Sequence, residues 1–419
     1  MNEVKYPKFR WYVLVAVVVA TVAQGMLLIA PTPLVGEVAK SLNIDLGVAT
    51  AAAMMPFTLA VAIGGILGGM LIDKFGLGKS FICACLITSV SAFLIPMLGG
   101  SVAGLVVLRA LMGLGCGPII ASGPRIGAEW FPPKERALFQ GISGAALSLG
   151  ITIGLMAGPA IAAGSGWKSV IGKFGILMFV AFVMFIIYNF GPKSPAEMFE
   201  NEIGQVSDSN FKMVFKQPVF WFTLASVFCL SWIQQGYNDL TPGHIAVPAP
   251  VGLGMGAQTA GNIMGMYTLA FLIGSLVSSF VAEKIFRGKY KTAVTTTFIL
   301  TAIFCISVLL PVVNSNQGTL TVCLLLAGFF MGMPQPINMT FISVSYPEHL
   351  MGRVGGMSMG LGIFGGTVAV AVGSFALHAT GMYTVSILVV VSIAVFGALA
   401  GFGMSAPKSF AEKSNSASL

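Results

Sequence analysis

One arginine stands by itself in a long apolar run. Arg109 lies about seven residues into the stretch 102–128, and the next charge is Arg125. A charge in hydrocarbon costs at least ~2.5–3.5 kcal/mol, and such residues face a cavity or a partner. The chemistry open to Arg109 is anion binding or electrostatic coupling. The plain alternative is structural, with the guanidinium snorkelling outward or pairing with backbone carbonyls. Gly113 and Cys116 follow four and seven positions later, so the three share one helix face.

The richest polar cluster is Ser231-Trp-Ile-Gln234-Gln235-Gly236-Tyr237-Asn238-Asp239-Leu-Thr-Pro242-Gly243-His244. Gln234, Gln235, Tyr237 and Asn238 are candidate solute contacts. Asp239 and His244 are the candidate titratable groups, and a histidine can switch near neutral pH. Gly236 and Pro242 permit local unwinding, which frees backbone groups to meet a solute. An ordinary wet helix end is the alternative. Gln24 is isolated in apolar sequence, and a buried amide needs a partner. Met333-Pro334-Gln335-Pro336-Ile-Asn338 carries two prolines that kink a helix, with Gln335 or Asn338 open to a solute or simply adapting the packing. Glu129 sits at i+4 from Arg125, where side chains meet. Arg125 is 16 residues from Arg109, ~24 Å along a helix, so the two cannot share one small site. A gate or anchor pair fits Arg125 better than substrate contact, and Glu129 is a further coupling candidate.

These residues need elements that span a bilayer. Mean hydropathy is +0.91. Charged residues are 9 % and hydrophobic ones 56 % of 419. A spanning helix takes roughly 20 mostly apolar residues, because backbone groups in hydrocarbon must pair internally. Short polar turns cut the chain into twelve such segments: 11–35, 47–72, 80–99, 102–128, 136–163, 169–190, 219–241, 257–282, 292–313, 318–344, 350–378 and 383–404. That leaves no room for a soluble catalytic domain. No nucleophile–base set and no Walker-type glycine loop is present, so neither an enzyme nor a resident cofactor is expected. The six cysteines all lie in apolar segments, with no spacing for a disulfide frame or metal cluster. The first apolar run exceeds a signal-peptide core and reads as a span.

The net charge of +8 is a topology signal rather than a nucleic-acid footprint. With both termini and the central stretch in the cytoplasm, eighteen of the 22 Lys and Arg lie inside. Lys40, Lys168 and Lys173 lie outside, and Arg109 is within a span. Short loops with this bias set orientation. A prokaryotic inner membrane fits best.

The chain repeats itself weakly. Gln24-Gly25-x5-Pro31 recurs as Gln235-Gly236-x5-Pro242, and Asp73-Lys74 recurs as Glu283-Lys284. Gly113-x3-Gly117 recurs as Gly328-x3-Gly332, and Phe131-Pro132 as Tyr346-Pro347. Four pairs in register point to duplication. The expected fold is an all-α membrane protein, with twelve transmembrane helices as two six-helix bundles related by pseudo-twofold symmetry. Residues 1–191 form the first bundle, 192–217 a cytoplasmic linker and 218–419 the second bundle.

Gly69-Met-Leu-Ile-Asp73-Lys74-Phe-Gly76-Leu-Gly78-Lys79 resembles the loop 2–3 signature of the major facilitator superfamily. Leu105-x3-Arg109-x2-Met112-Gly113-x-Gly115 is similar to that superfamily's span 4 motif, and Gly150-x3-Gly154-x3-Gly158-Pro159 faintly resembles its span 5 motif. The stretch 125–136 is similar to loop 4–5 of its anion:cation symporters and organic-anion carriers. The resemblance implies two bundles rocking about a midplane site. It implies a conformational latch at Asp73 and Lys74, and by the repeat at Glu283 and Lys284. Cys116 stands where the symporter group carries a glutamate, a proton-coupling candidate there. Asp239, His244 and Glu129 are then the remaining candidates.

A buried positive charge favours anionic solutes. The leading expectation is a secondary active transporter of a small organic anion, a carboxylate, working as symporter or exchanger, with H⁺ or a counter-substrate as co-solute and a monomer in the bilayer. The alternative is an exporter of apolar or zwitterionic compounds, for which the 23 methionines and 31 phenylalanines could line a plastic cavity.

Overall fold

The computed structural model describes residues 6–192, 194, 214–345 and 348–404, apart from some helix side chains, Asp73 among them. Most of the expected linker and the Tyr346-Pro347 pair lie outside the described residues. The helices are α1 (Arg10–Ile29), α2 (Val35–Leu42), α3 (Leu46–Phe75), α4 (Leu77–Leu98), α5 (Val102–Ala121), α6 (Gly123–Trp130) and α7 (Pro133–Asn189). Then come α8 (Pro218–Ala246), α9 (Ala257–Phe280), α10 (Tyr290–Ser307), α11 (Pro311–Asn314), α12 (Gln317–Met331), α13 (Pro334–Ser345), α14 (Glu348–Thr380) and α15 (Tyr383–Gly403).

Among the described residues, 11 helical segments are long and apolar enough to cross a membrane. One of them, Leu138–Asn189, is 52 residues long and counts twice. Gly166 interrupts it at φ 74°, a backbone region open to glycine at little cost. Twelve crossings result, as the hydropathy pattern requires. The reversal beside Gly166 is anchored where Trp167 Nε1 donates to Ser41 Oγ at 2.8 Å. Lys168 Nζ lies 5.8 Å from the Trp167 ring, an interfacial arrangement for both side chains.

Local chemistry sets several boundaries. Asp45 caps α3 by accepting from Val48 N at 2.9 Å, and Asn316 caps α12 by accepting from Gly318 N at 2.8 Å. The span 10 bend expected from its prolines is present. Helix α12 stops at Met331 and α13 restarts at Pro334, because proline cannot donate to the turn before it.

The chain forms two compact units: Met1–Gly204 with Ile245–Gly265, and Gln205–His244 with Met266–Leu419. In the first, α1 packs on α7 and α3 on α5. Gly64 brings α3 against α5 so closely that a Cβ there would lie 2.6 Å from the Leu114 carbonyl oxygen. In the second, α10 packs on α15 and on α12. Gly274 of α9 meets the Phe329 carbonyl oxygen of α12 in the same way. These partners lie 210 and 215 residues after Gly64 and Leu114, the offsets of the sequence repeat. Duplication is thus visible inside each unit as one repeated backbone contact. Small residues permit such contacts in membranes, where packing rather than hydrophobicity drives helix association.

Candidate functional site

Arg109 is fully buried in the first unit. Its Nη1 donates to the Leu27 carbonyl oxygen at 2.7 Å and its Nη2 to that of Leu28 at 3.0 Å. Its Nε donates to the Ala53 carbonyl oxygen at 2.5 Å. The guanidinium carbon lies 4.4 Å from the Phe57 ring centroid, within cation–π range. The carbonyls are available for a reason written in the sequence. A helical carbonyl accepts from the residue four positions on, and for Leu27 that residue is Pro31, which has no N–H. Leu28 lies in the last turn of α1, whose carbonyls have no helical donor and carry the negative end of the helix dipole. Arg109 therefore ties α1 and α3 to α5. Pairing with backbone carbonyls is thus observed.

Cys116, two turns further along α5, is buried with its Sγ 4.0 Å from Thr88 Oγ1 of α4. Thr88 Oγ1 in turn donates to the Ala84 carbonyl at 2.9 Å. Gln24 is buried in α1, and its Oε1 has no hydrogen-bond partner among the described residues. Arg125 Nε and Glu129 Oε1 pair at 2.6 Å on α6, the contact expected from their spacing. A second ion pair, Arg10 Nη2 to Glu135 Oε1 at 3.1 Å, joins the starts of α1 and α7. Its partners are 125 positions apart, and no local pattern signals it. Lys74 is exposed at the end of α3, with Nζ 5.3 Å from the Phe75 ring. The Asp73 side chain lies outside the described residues. Glu283 and Lys284 are exposed in a π-helical turn, Val281–Ile285.

In the second unit the polar stretch differs from the expected loosened helix end. Helix α8 runs on to Ala246 with Pro242 inside it. Asn238, Asp239 and His244 are buried rather than wet. Packing just before the proline supports the helix where a bond is removed: Gly236 lies against Val390 and Ala369, and Leu240 against Gly373. Gln235 Nε2 donates to Asp239 Oδ2 at 3.0 Å along one face of α8. Gln234 and Gln235 are half-buried. Neither His244 nitrogen has a partner among the described residues, and its ring lies 6.0 Å from that of Tyr383. Asn238 Oδ1 is also without one. Tyr237 points into the bundle, donating to the Cys305 carbonyl at 3.4 Å beside the Tyr267 ring at 5.9 Å. Asn338 is fully buried, and its Nδ2 donates to Ser226 Oγ at 3.0 Å.

The candidates thus fall into three kinds. Gln24, Asn238 and His244 retain hydrogen-bonding capacity in buried positions. Arg109, Tyr237 and Asn338 are engaged between helices of their own unit. Asp239 is held by a neighbour one turn away.

Comparison with known proteins agrees with this architecture. The Major Facilitator Superfamily model matches residues 13–370 and 245–418. A hexuronate transporter of Bacillus subtilis (strain 168) is 24 % identical over 362 residues, covering 82 % of each chain. A cis,cis-muconate transport protein of Acinetobacter baylyi is 27 % identical over 334 residues, 75 % of each chain. A probable sulfoacetate transporter of Cupriavidus necator is 24 % identical over 387 residues, 88 % of this chain and 86 % of that one. The crystal structure of a D-xylose-proton symporter superposes with a TM-score of 0.77 at 15 % identity, over 94 % of this chain and 98 % of that one. The protein is a multi-pass membrane transporter rather than an enzyme, and it belongs to the Major Facilitator Superfamily.

Proposed function

We propose that this chain carries a small organic anion, a carboxylate, across the cytoplasmic membrane by alternating access, as a symporter or exchanger. One observation carries the reading. Relatives covering three-quarters or more of the chain are named for hexuronate, cis,cis-muconate and sulfoacetate transport, and these are acidic solutes. Arg109 supports it, because a guanidinium in the hydrocarbon interior attracts anions and repels cations.

Gln24 and Asn238 are the favoured amides for solute contact, since each keeps an oxygen without a partner among the described residues. The O and N of an amide are assigned rather than seen, so either end can be presented. Gln234 and Gln235 are further candidate solute contacts. Asp239, His244 and Glu129 are the coupling groups, with Asp239 favoured for its burial. Asp73, Lys74, Arg125, Glu283 and Lys284 act at the gate. Both termini are cytoplasmic, on the bias of the basic loops.

Calorimetric titration of the purified protein with mono- and dicarboxylates tests the reading, with apolar amines and zwitterions as the contrast. Saturable binding of a carboxylate that the contrast compounds do not displace is expected. Binding confined to the contrast compounds would replace the organic-anion reading with an exporter of such compounds.

A further inference from the structure

Helices α10 and α15 pack antiparallel in the second unit. Gly397 lies against Phe298, and Thr295 Oγ1 donates to the Ala398 carbonyl at 3.3 Å. On one side the pair opens around Ala302, Ala394 and Ala398 into an apolar cavity of about 590 Å³. Its walls, Ile299, Ile303, Leu310, Val395, Leu399 and Phe402, are exposed. Ser307 is the one polar residue lining it, and its Oγ is already bonded to the Phe304 carbonyl at 2.7 Å. The groove therefore accommodates hydrocarbon and offers a ligand no free side-chain donor. From Ile299 to Ser307 it runs ~12 Å along α10, starting ~12 Å along the helix from Lys291.

One end of this groove is cationic. Phe402 lies at that end, and Lys291 Nζ is 5.7 Å from its ring centroid. Lys291 closes the sequence Glu283-Lys284-Ile-Phe-Arg287-Gly288-Lys289-Tyr-Lys291. All four basic side chains are exposed, with Glu283 the one acid among them. The turn is compact: Gly288 N donates to the Ala282 carbonyl at 2.9 Å and Lys289 N to that of Phe286 at 3.0 Å. This gathers Lys289 and Lys291 at the start of α10, where the helix dipole adds positive potential. Hydrocarbon along the groove and cations at its Phe402 end complement an amphiphile with an anionic head.

We propose that the α10–α15 groove is a binding site for an anionic phospholipid, with an acyl chain against Ile303, Val395 and Leu399 and the phosphate at Lys289 and Lys291. Cationic residues at a membrane surface attract anionic lipid headgroups, and the groove adds a shaped seat for the tail. The inference requires that the chain spans a bilayer. It is independent of the solute carried, and its test reads lipid rather than transport.

The test is native mass spectrometry of the whole chain with phosphatidylglycerol or phosphatidylcholine of identical acyl chains, together with thermal melting in each. Wild type is expected to retain phosphatidylglycerol preferentially and to melt higher in it. Lys289→Gln/Lys291→Gln should lose about tenfold or more of that preference while holding phosphatidylcholine unchanged. Ala398→Phe fills the groove floor, and Ile303→Trp covers it from the exposed wall in case the first fails to fold. Either should lower retention of both lipids with every cation intact. Inorganic phosphate should not displace the bound lipid. Equal retention of the two lipids by wild type would overturn the proposal, as would an unchanged preference in the double variant. Displacement by inorganic phosphate would reduce the site to a surface anion site. Self-crosslinking of Leu399→Cys in phosphatidylglycerol vesicles would show a second copy in the groove and would also overturn it.

Discussion

Nη1 of Arg109 donates to the carbonyl oxygen of Leu27 at 2.7 Å, across 82 positions of sequence. The residue that would normally serve that carbonyl is Pro31. A proline withdraws a donor from α1, and an arginine on α5 supplies one. This pairing places a positive charge deep in the first unit while satisfying backbone that hydrocarbon would punish.

Arg109→Ala is expected to abolish transport while folded protein still reaches the membrane. It should also lower the melting temperature, since an orphaned buried acceptor costs about 1–3 kcal/mol. Arg109→Lys should recover part of both properties, because an ammonium lacks the planar fork that spans Leu27, Leu28 and Ala53. Transport and thermal melting of the two variants check this together. Full activity in Arg109→Ala would remove the residue from the mechanism.

Asp239→Asn keeps the shape of a side chain that is 1 % exposed and removes its charge. If protons drive uptake through it, the variant should lose pH-gradient-driven uptake and retain solute exchange in vesicles without a gradient. His244→Ala and Glu129→Gln are the parallel variants. Gradient-driven uptake surviving all three would move the mechanism to exchange or facilitated diffusion.

Gly64→Val and Gly274→Val should destabilise the protein by similar amounts, about 1–3 kcal/mol each. Each inserts a side chain against a carbonyl of the partner helix, Leu114 in one unit and Phe329 in the other. Detergent-stability melts of both variants provide the measurement. A neutral Gly274→Val beside a damaging Gly64→Val would mean that the two contacts are not equivalent.

Cysteine labelling should place residues 193–216 in the cytoplasm and 164–168 outside. Labelling of 193–216 from outside would invert the orientation inferred from the basic loops.

Much of this molecule follows from its local pattern. Hydropathy marks the twelve crossings. Offsets of 210 and 215 reveal a repeat that returns as the Gly64–Leu114 and Gly274–Phe329 contacts. Spacing of four places Arg125 on Glu129, and Pro334 marks the bend between α12 and α13. The crossings, the ion pair and the bend depend on neighbours within a few turns, and the repeat on comparing the chain with itself, so they are legible in one dimension. The partners of Arg109, the Asn338–Ser226 pair across 112 positions and the burial of His244 are not. Nor is the α10–α15 groove. Lipid tails are as apolar as leucine, so hydropathy does not distinguish a face that packs on another helix from one that meets the bilayer. A mid-span polar residue is marked as exceptional by sequence, but its partner is chosen by how the helices pack. For α8 the same rule reverses the local signal: Gly236 and Pro242 permit loosening, and contacts with Val390 and Gly373 keep the helix closed around Asp239.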